Sequence, residues 1–357
     1  MTASVWSNDD RSLERHYRTL LLAYPGRHRR RYGPEMITML LDMAAPGQRR
    51  PRPGEALHLL GSGLRQRLRL PAHRPLAVIA AVLLALTLGA FGGAAGSWAG
   101  AQTFTDLPDD AAAARLAQQA SGAAGDPVLL RSPSPWLEES ISTATEVDGN
   151  WSVEQARQRF AAEGWSVSDI APLDGKAATF DPETRSFTDL PMRNSMFSAT
   201  SDGLVVQVRG FLTAEHGMVH VNSWAQSRPL FLPLIVLGIV IGLVAGWLIA
   251  AALAYRIVGA QAERRRNSAA LWAVALIALA LPAAALYGNV MRAFRYHGDV
   301  GPVFTVHSAF TPGSYYPFGP TWQILALTIA GAVLAGAAVL LARPGAQPQP
   351  REAAVAG

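Results

Sequence analysis

The sequence predicts a membrane protein: an α-helical four-span bundle with a small extracytoplasmic α+β domain and a short cytoplasmic three-helix N-terminal module. Half of the 357 residues are hydrophobic and only 16% are charged, which is low against roughly 25% in soluble proteins. About 20 apolar residues cross the bilayer core as a helix. Stretches of at least that length without Asp, Glu, Lys or Arg lie between Arg74 and Asp106, Arg228 and Arg256, Arg266 and Arg292, and Asp299 and Arg343.

These stretches set the predicted division of the chain. We place transmembrane helices at 76–100, 230–254, 269–288 and 322–342. The other predicted segments are a cytoplasmic helical module (1–75), an outer helix and linker (101–135), an extracytoplasmic α+β domain (136–228), a cytoplasmic loop (255–268), an outer loop (289–321) and a disordered cytoplasmic tail (343–357). Ala99-Gly100-Ala101 resembles a cleavage site, but a secretory signal has a short leading region, and here 75 residues precede the apolar stretch. We therefore expect a retained anchor.

The distribution of charge predicts the orientation of the spans. Residues 1–75 hold 14 Arg against 6 acidic residues, and residues 255–268 hold 4 Arg and 1 Glu. Residues 102–228 instead hold 9 basic and 17 acidic residues. Because cytoplasmic segments carry the excess of Arg and Lys, we expect a multi-pass plasma-membrane protein with both termini cytoplasmic.

The N-terminal residues 11–70 predict three short amphipathic helices. The second should begin at Pro34, a good first-turn residue, and the third should cover about 54–70. About sixty residues can bury only a small core, so this module is expected to need a partner or the membrane surface. The apolar stripes of the three helices are Leu13, Tyr17, Leu20 and Leu21; Met36, Met39, Leu40 and Met43; and Leu57, Leu60, Leu64 and Leu68. We expect a cytoplasmic protein partner to bind the face with Tyr17, Leu21, Met36 and Met43.

A short motif in this module carries a family resemblance. It consists of Tyr24-Pro25, the cluster from Arg27 to Arg31, Gly33, and Glu35-Met36 before an apolar helix. This string resembles the helical N-terminal segment of many actinobacterial membrane proteins, and it is similar to permease prefix domains and to HAAS signalling domains. The resemblance covers about 60 of the 357 residues. PadR-like transcription regulators often accompany such proteins, so the resemblance implies a regulatory setting.

The arginines of the module leave three interpretations open. They can keep the N-terminus inside, contact anionic lipid headgroups, or bind nucleic acid. No recognition helix, stacking aromatic series or zinc finger accompanies them, so no nucleic acid is expected as a partner. The bilayer itself is the expected lipid partner.

Residues 136–228 predict one helix followed by several mostly antiparallel strands. Ser152 and Gln155 form a capping-box pattern that opens the helix, and Gly164 closes it. Ser201-Asp202-Gly203 lies between two apolar runs and predicts a hairpin turn. The expected core residues are Phe160, Trp165, Ile170, Val206, Val208 and Val219.

The sequence contains no clear pattern of catalytic residues. There is no cysteine, which excludes disulfides, thiolate catalysis and Cys-based metal sites. Neither HExxH nor GxSxG occurs, since Gly96-Ser97 stops short of the second motif and lies in a predicted span. His216 and His220 belong to a predicted strand, and His307 is expected at the surface or at an interface of an outer loop. We expect no catalytic, cofactor-binding or metal site, no cofactor, and no enzymatic activity.

Two spans carry glycines at a spacing of four, which lets helix backbones approach closely. Packing within one chain and a homodimer are both open. These two glycine ladders are Gly92, Gly96 and Gly100, and Gly238, Gly242 and Gly246.

Together the features predict a non-enzymatic sensor or regulatory partner that links the cell envelope to a cytoplasmic protein. The alternative is an accessory subunit of an export or permease complex.

Overall fold

The computed structural model describes residues 8–45, 47–71, 74–173, 177–183, 185–313 and 315–342. The predicted tail 343–357 lies outside the described residues. The chain divides into two compact units. One contains the N-terminal residues to Leu86 with Leu243–Leu276 and the chain from Val333; the other contains Thr87–Gly242 and Ile277–Ala332.

The described helices are α1 (Asn8–Leu20), α2 (Gly26–Asp42), α3 (Pro53–Leu68), α4 (Pro75–Ala101), α5 (Asp110–Ser121), α6 (Val153–Ala162), α7 (Phe231–Val258), α8 (Ala262–Arg295) and α9 (Thr321–Leu341), with 3-10 turns at Leu21–Ala23 and His307–Phe310. The strands are β1 (Val128–Ser132), β2 (Ser140–Asp148), β3 (Ser166–Val167), β4 (Ala171–Pro172), β5 (Ala177–Asp181), β6 (Ser186–Leu190), β7 (Arg193–Ser201), β8 (Leu204–Leu212) and β9 (His216–Ala225).

Four of these helices, α4, α7, α8 and α9, are long and apolar enough to cross a membrane. The shortest, α9, has 21 residues, or about 32 Å at a rise of 1.5 Å per residue. Within the described residues, the predicted number of helices of this length and apolar character is therefore confirmed. Helix α8 has 34 residues and extends past the predicted span at both ends. Its ends are rich in Ala and Arg, which are good helix formers, so the helix continues where the chain becomes charged.

The N-terminal module folds around the apolar stripe of α1. Leu13 and Tyr17 are each 1% exposed and pack with Leu59 of α3. The hydroxyl of Tyr17 donates to Glu55 Oε2 at 3.2 Å, so the phenol has a partner inside the module. At Gly63 a Cβ would lie 2.8 Å from the Cβ of Ala23, which shows how closely α3 approaches the turn after α1.

The second helix begins earlier than expected. Helix α2 starts at Gly26 and contains Pro34 in its interior instead of in its first turn. An interior proline removes the hydrogen bond to the carbonyl four residues before it. That carbonyl belongs to Arg30, an exposed residue, so water can take the place of the missing donor.

Helices α4 and α7 contact each other through both glycine ladders. A Cβ at Gly92 would overlap the carbonyl oxygen of Gly238, and a Cβ at Gly238 would overlap that of Gly92. Gly96 meets Leu234 in the same way, and Gly242 meets Leu88. At the two ends a Cβ at Gly100 would lie 2.8 Å from Phe231 Cδ2, and one at Gly246 would lie 2.6 Å from Ala85 Cα. Both ladders are thus used within one chain.

The sheet domain contains seven antiparallel strands in the order β1-β2-β9-β8-β7-β3, with β4 also paired to β7. Strands β5 and β6 form a separate hairpin. Asp202 and Gly203 join β7 to β8 with φ of 49° and 82°. Positive φ at both positions is typical of a type I′ turn, which matches the twist of the strands. The predicted hairpin is confirmed.

Two helices cover one face of this sheet. Phe160 of α6 is fully buried and contacts the rings of Trp165 and Phe197. Val206, Val208 and Val219 are buried in the same core, and Trp165 and Ile170 pack against it.

The segment predicted as an outer helix and linker belongs to the sheet domain as well. Helix α5 buries three alanines, and β1 pairs with β2. The indole of Trp151 donates to the carbonyl of Ala120 at 3.0 Å, which connects α5 to this core. Because alanine side chains are small, α5 can lie close to the sheet. This contact could not be predicted from the residues of α5 alone.

Asp109 caps α5, since its Oδ1 accepts the N–H of Ala112 at 2.7 Å. Asp109→Ala should lower the free energy of unfolding of the sheet domain by about 1 kcal/mol, because a helix N–H loses its partner. Thermal unfolding followed by near-UV circular dichroism measures this loss. Asp126→Ala removes an exposed carboxylate that caps no helix, and an equal loss in both variants would contradict the capping role.

Candidate functional site

The predicted partner face is not assembled on the surface of the module. Tyr17 and Leu21 are 1% and 2% exposed, because the stripe of α1 forms the core of the module. Met36 is half-buried, whereas Met43 is 69% exposed. A partner of the folded module can therefore reach α2 but not Tyr17 or Leu21.

The accessible apolar surface of α2 is a shallow depression. Met39 and Met43 line it one turn apart, and both are exposed. Its other lining residues are Pro34, Glu35, Thr38 and Asp42. This surface, which we call the methionine face, combines two methionines with two carboxylates.

A second candidate lies in the unit that contains the sheet domain. Five polar residues meet where the chain leads into β2, and we call this group the polar junction. Its members are Ser97 of α4, Glu138 at the strand entry, Asn289 of α8, and Thr305 and His307 of the outer loop. Among them Ser97, Asn289 and Thr305 are fully buried.

Backbone pairing brings the strand entry to the outer loop. Leu137 and Phe304 form an isolated antiparallel bridge. The N–H of Glu138 donates to the carbonyl of Val303 at 2.8 Å, and the N–H of Thr305 donates to the carbonyl of Trp136 at 3.0 Å. These bonds hold residues 136–138 beside 303–305.

Asn289 fastens both segments to α8. Its Nδ2 donates to the carbonyls of Pro135 at 2.8 Å and Thr305 at 3.2 Å. Its Oδ1 accepts the hydroxyl of Tyr316 at 3.1 Å. A buried amide is costly unless its donors and acceptors are paired, so these bonds specify one position for the entry to β2.

Ser97 connects the outer loop to α4. Its Oγ accepts the N–H of Val306 at 2.9 Å and lies 3.1 Å from Nδ1 of His307. The Ser97 hydroxyl donates to Nδ1 if neutral His307 carries its proton on Nε2, and it accepts from Nδ1 in the other tautomer. Nε2 of His307 lies 3.6 Å from Oε2 of Glu138, a buried oxygen with no hydrogen-bond partner among the described residues.

Burial favours the uncharged form of both ionisable groups. Desolvation lowers the pKa of His307. Desolvation also raises the pKa of Glu138, and the nearby charge of Glu139 raises it further. The junction is thus built for neutral side chains.

These shifts predict opposite pH effects. The contribution of Glu138 is present below its ordinary pKa of 4.5 and is lost as pH rises through the raised value. The contribution of His307 is present above 6.5 and is lost as pH falls through the lowered value. Glu138→Gln should therefore reduce the loss of thermal stability at high pH. His307→Gln should reduce the loss of thermal stability at low pH. Glu146→Gln, at an exposed position of β2, should retain both; parallel profiles for all variants would contradict the assignment.

The order of groups in the junction is that of a serine hydrolase relay, from hydroxyl to imidazole to carboxylate. A nucleophile must be reached by its substrate, but Ser97 is fully buried and its Oγ already accepts a backbone N–H. The geometry therefore favours positioning of the chain over acyl transfer. Within the described ranges no group of three His, Asp or Glu residues could hold a metal ion.

Sequence reasoning missed this junction because its members are far apart in the chain. Ser97 and His307 are separated by 210 positions. The available signals were weak: one serine and one asparagine near the ends of apolar stretches, and a histidine among aromatic residues. His216 and His220 lie on β9, as expected for a strand.

Comparison with known proteins adds no relative to this picture. No known protein family, curated protein or solved structure matches the chain.

Proposed function

We propose that this chain is a non-enzymatic sensor or regulatory protein of the plasma membrane, with both termini in the cytoplasm. It passes a state of the sheet domain to a cytoplasmic protein bound at the N-terminal module. The observation that supports this proposal is the polar junction, which joins the entry of β2 to α8 directly and to α4 through the outer loop.

The physical basis is the all-or-none character of buried polar contacts. A shift of residues 135–138 breaks the bonds of Asn289 and moves Glu138 relative to His307. Since unpaired groups at this depth are costly, the helices follow the segment or adopt a second paired arrangement. A change in the sheet domain is thereby carried to the spanning helices.

The methionine face is the proposed output surface. Exposed Met39 and Met43 offer adaptable apolar contact, and Glu35 and Asp42 favour a partner with basic residues around an apolar patch. The family resemblance of the module is consistent with a regulatory partner.

The test uses the full-length protein in its source cells. Tagged wild type and variants are captured in mild detergent, co-purifying chains are quantified, and transcripts are compared with those of a deletion strain. Met43→Arg should no longer co-purify with one specific chain, and its transcript profile should match that of the deletion strain. Thr19→Arg, which adds the same charge at an exposed position of α1, should change neither.

His307→Gln separates signalling from partner binding. It should keep the partner bound yet fail to restore the wild-type transcript profile. Full restoration by this variant at normal abundance would refute transmission through the junction. Capture of transport subunits, with transcripts unchanged by the deletion, would instead support an accessory subunit of an export or permease complex.

A further inference from the structure

Helix α3 has two apolar faces, and the module covers one of them. Leu59 and Gly63 are buried against the rest of the module. On the opposite side four leucines at spacings of three and four residues form one continuous line. These are Leu57, Leu60, Leu64 and Leu68, which are 36–70% exposed; we call them the leucine stripe.

A hydrogen bond locates the end of this stripe. The indole N–H of Trp247 in α7 donates to the carbonyl of Leu68 at 2.9 Å. Leu68 is the last residue of α3, where helix carbonyls have no partner within the helix. Trp247 lies nine positions before Arg256, or about 13 Å along α7. The end of α3 therefore lies beside the apolar part of a spanning helix.

The surroundings of this contact are also apolar and open. Val244 lies one turn before Trp247 on α7 and is 48% exposed. In a lipid environment an unpaired carbonyl is costly, and the indole of Trp247 removes that cost at Leu68. The leucine stripe is thus continuous with a surface that faces lipid if α7 spans the bilayer.

Positive charge flanks the same end of α3. Arg65, Arg69 and Arg74 are exposed on either side of Leu68. Arg67 is occupied differently, because its guanidinium donates to the carbonyl of Leu22 within the module. Leucines on one face with arginines beside them are typical of a helix in the plane of a bilayer surface rich in anionic lipid.

We propose that α3 is an interfacial helix whose leucine stripe enters the acyl-chain region of an anionic bilayer, while Arg65, Arg69 and Arg74 bind its headgroups. The site is distinct from the methionine face, and it anchors the module to the membrane independently of any protein partner.

The natural absence of cysteine makes the test direct. Leu64→Cys and the control His58→Cys place one thiol each at exposed positions of α3, on and off the leucine stripe. Each full-length variant is labelled with bimane and placed in nanodiscs of phosphatidylcholine and phosphatidylglycerol, with or without brominated acyl chains. Brominated lipid should quench bimane fluorescence at position 64 at least about twofold more strongly than at position 58. Aqueous iodide should instead quench position 58 more strongly than position 64.

Each other outcome overturns part of the proposal. Stronger iodide quenching at position 64 would place the leucine stripe in water. Protection of position 64 from both quenchers would show that protein covers it, and either result would refute the lipid site. The headgroup contacts would be refuted if brominated lipid quenched position 64 just as strongly in nanodiscs of phosphatidylcholine alone. The same quenching after Arg65→Gln with Arg69→Gln would also refute them. Unchanged elution and thermal unfolding of the labelled variants verify folding, and the result is independent of partner capture by Met43→Arg.

Discussion

Gly238→Ala should destabilise the packing of α4 against α7 by about 3 kcal/mol, at the upper end of the cost of overpacking. The added methyl group overlaps the carbonyl oxygen of Gly92, which belongs to helix backbone and cannot rotate away. The two helices must separate or shift along each other. Thermal unfolding in detergent, followed by circular dichroism and by size-exclusion elution, measures the loss.

A glycine elsewhere in a spanning helix provides the control. At Gly336 in α9 a Cβ would meet nothing within 4 Å. Alanine is the better helix former by about 1 kcal/mol, so Gly336→Ala should leave stability unchanged or raise it. Opposite signs are therefore expected for the same substitution. Equal midpoints for Gly238→Ala and wild type would show that the helices do not approach through these glycines.

Asn289→Leu should lower the stability of the polar junction by about 2 kcal/mol, since the buried carbonyl of Pro135 loses the amide that donates to it, and an unpaired buried group costs about 1–3 kcal/mol. The carbonyl of Thr305 and the hydroxyl of Tyr316 each lose one of two bonds, because Ser308 still donates to the first and the carbonyl of Ala285 still accepts from the second. Leucine has the same number and branching of side-chain heavy atoms as asparagine and is the larger residue, so the substitution leaves no cavity to explain the loss. Protease cleavage near residue 135, together with the unfolding midpoint, measures it.

Asn267→Leu makes the same exchange in α8 at an exposed position and should change neither readout. Faster cleavage near residue 135 is expected only for Asn289→Leu. If both variants match wild type, the amide of Asn289 does not hold the entry to β2, and the proposed transmission route loses its basis.

The spanning helices could be predicted from composition because their signal is local. A run without charges, such as residues 229–255, is already long enough to cross a bilayer, whatever lies around it. The Asp202-Gly203 turn is equally local, since positive φ at two neighbouring positions selects these residue types. The sheet order could not be predicted this way. Strand β2 pairs with β1 and with distant β9, and nothing near β2 encodes that choice.

The module shows how an apolar stripe can be located correctly while its role stays open. The periodicity of α1 placed Tyr17 and Leu21 on one face, and both residues are on that face. Periodicity reports that a face is covered, but not whether the same chain or a partner covers it. Here α3 covers it, and the exposed apolar residues are instead on α2 and on the far side of α3.

The sequence by itself determined the membrane-spanning segments, the glycine ladders and the sharp turn, because each depends on residues within one helix or one loop. Tertiary structure alone decided what the glycines contact, which side of α3 is free, and how Ser97, Glu138, Asn289 and His307 meet. Those features depend on buried polar and close-packed contacts between different elements, such as those of Tyr17 with Glu55 and of Ser97 with His307. Such contacts are specific only after the helices and strands have assembled.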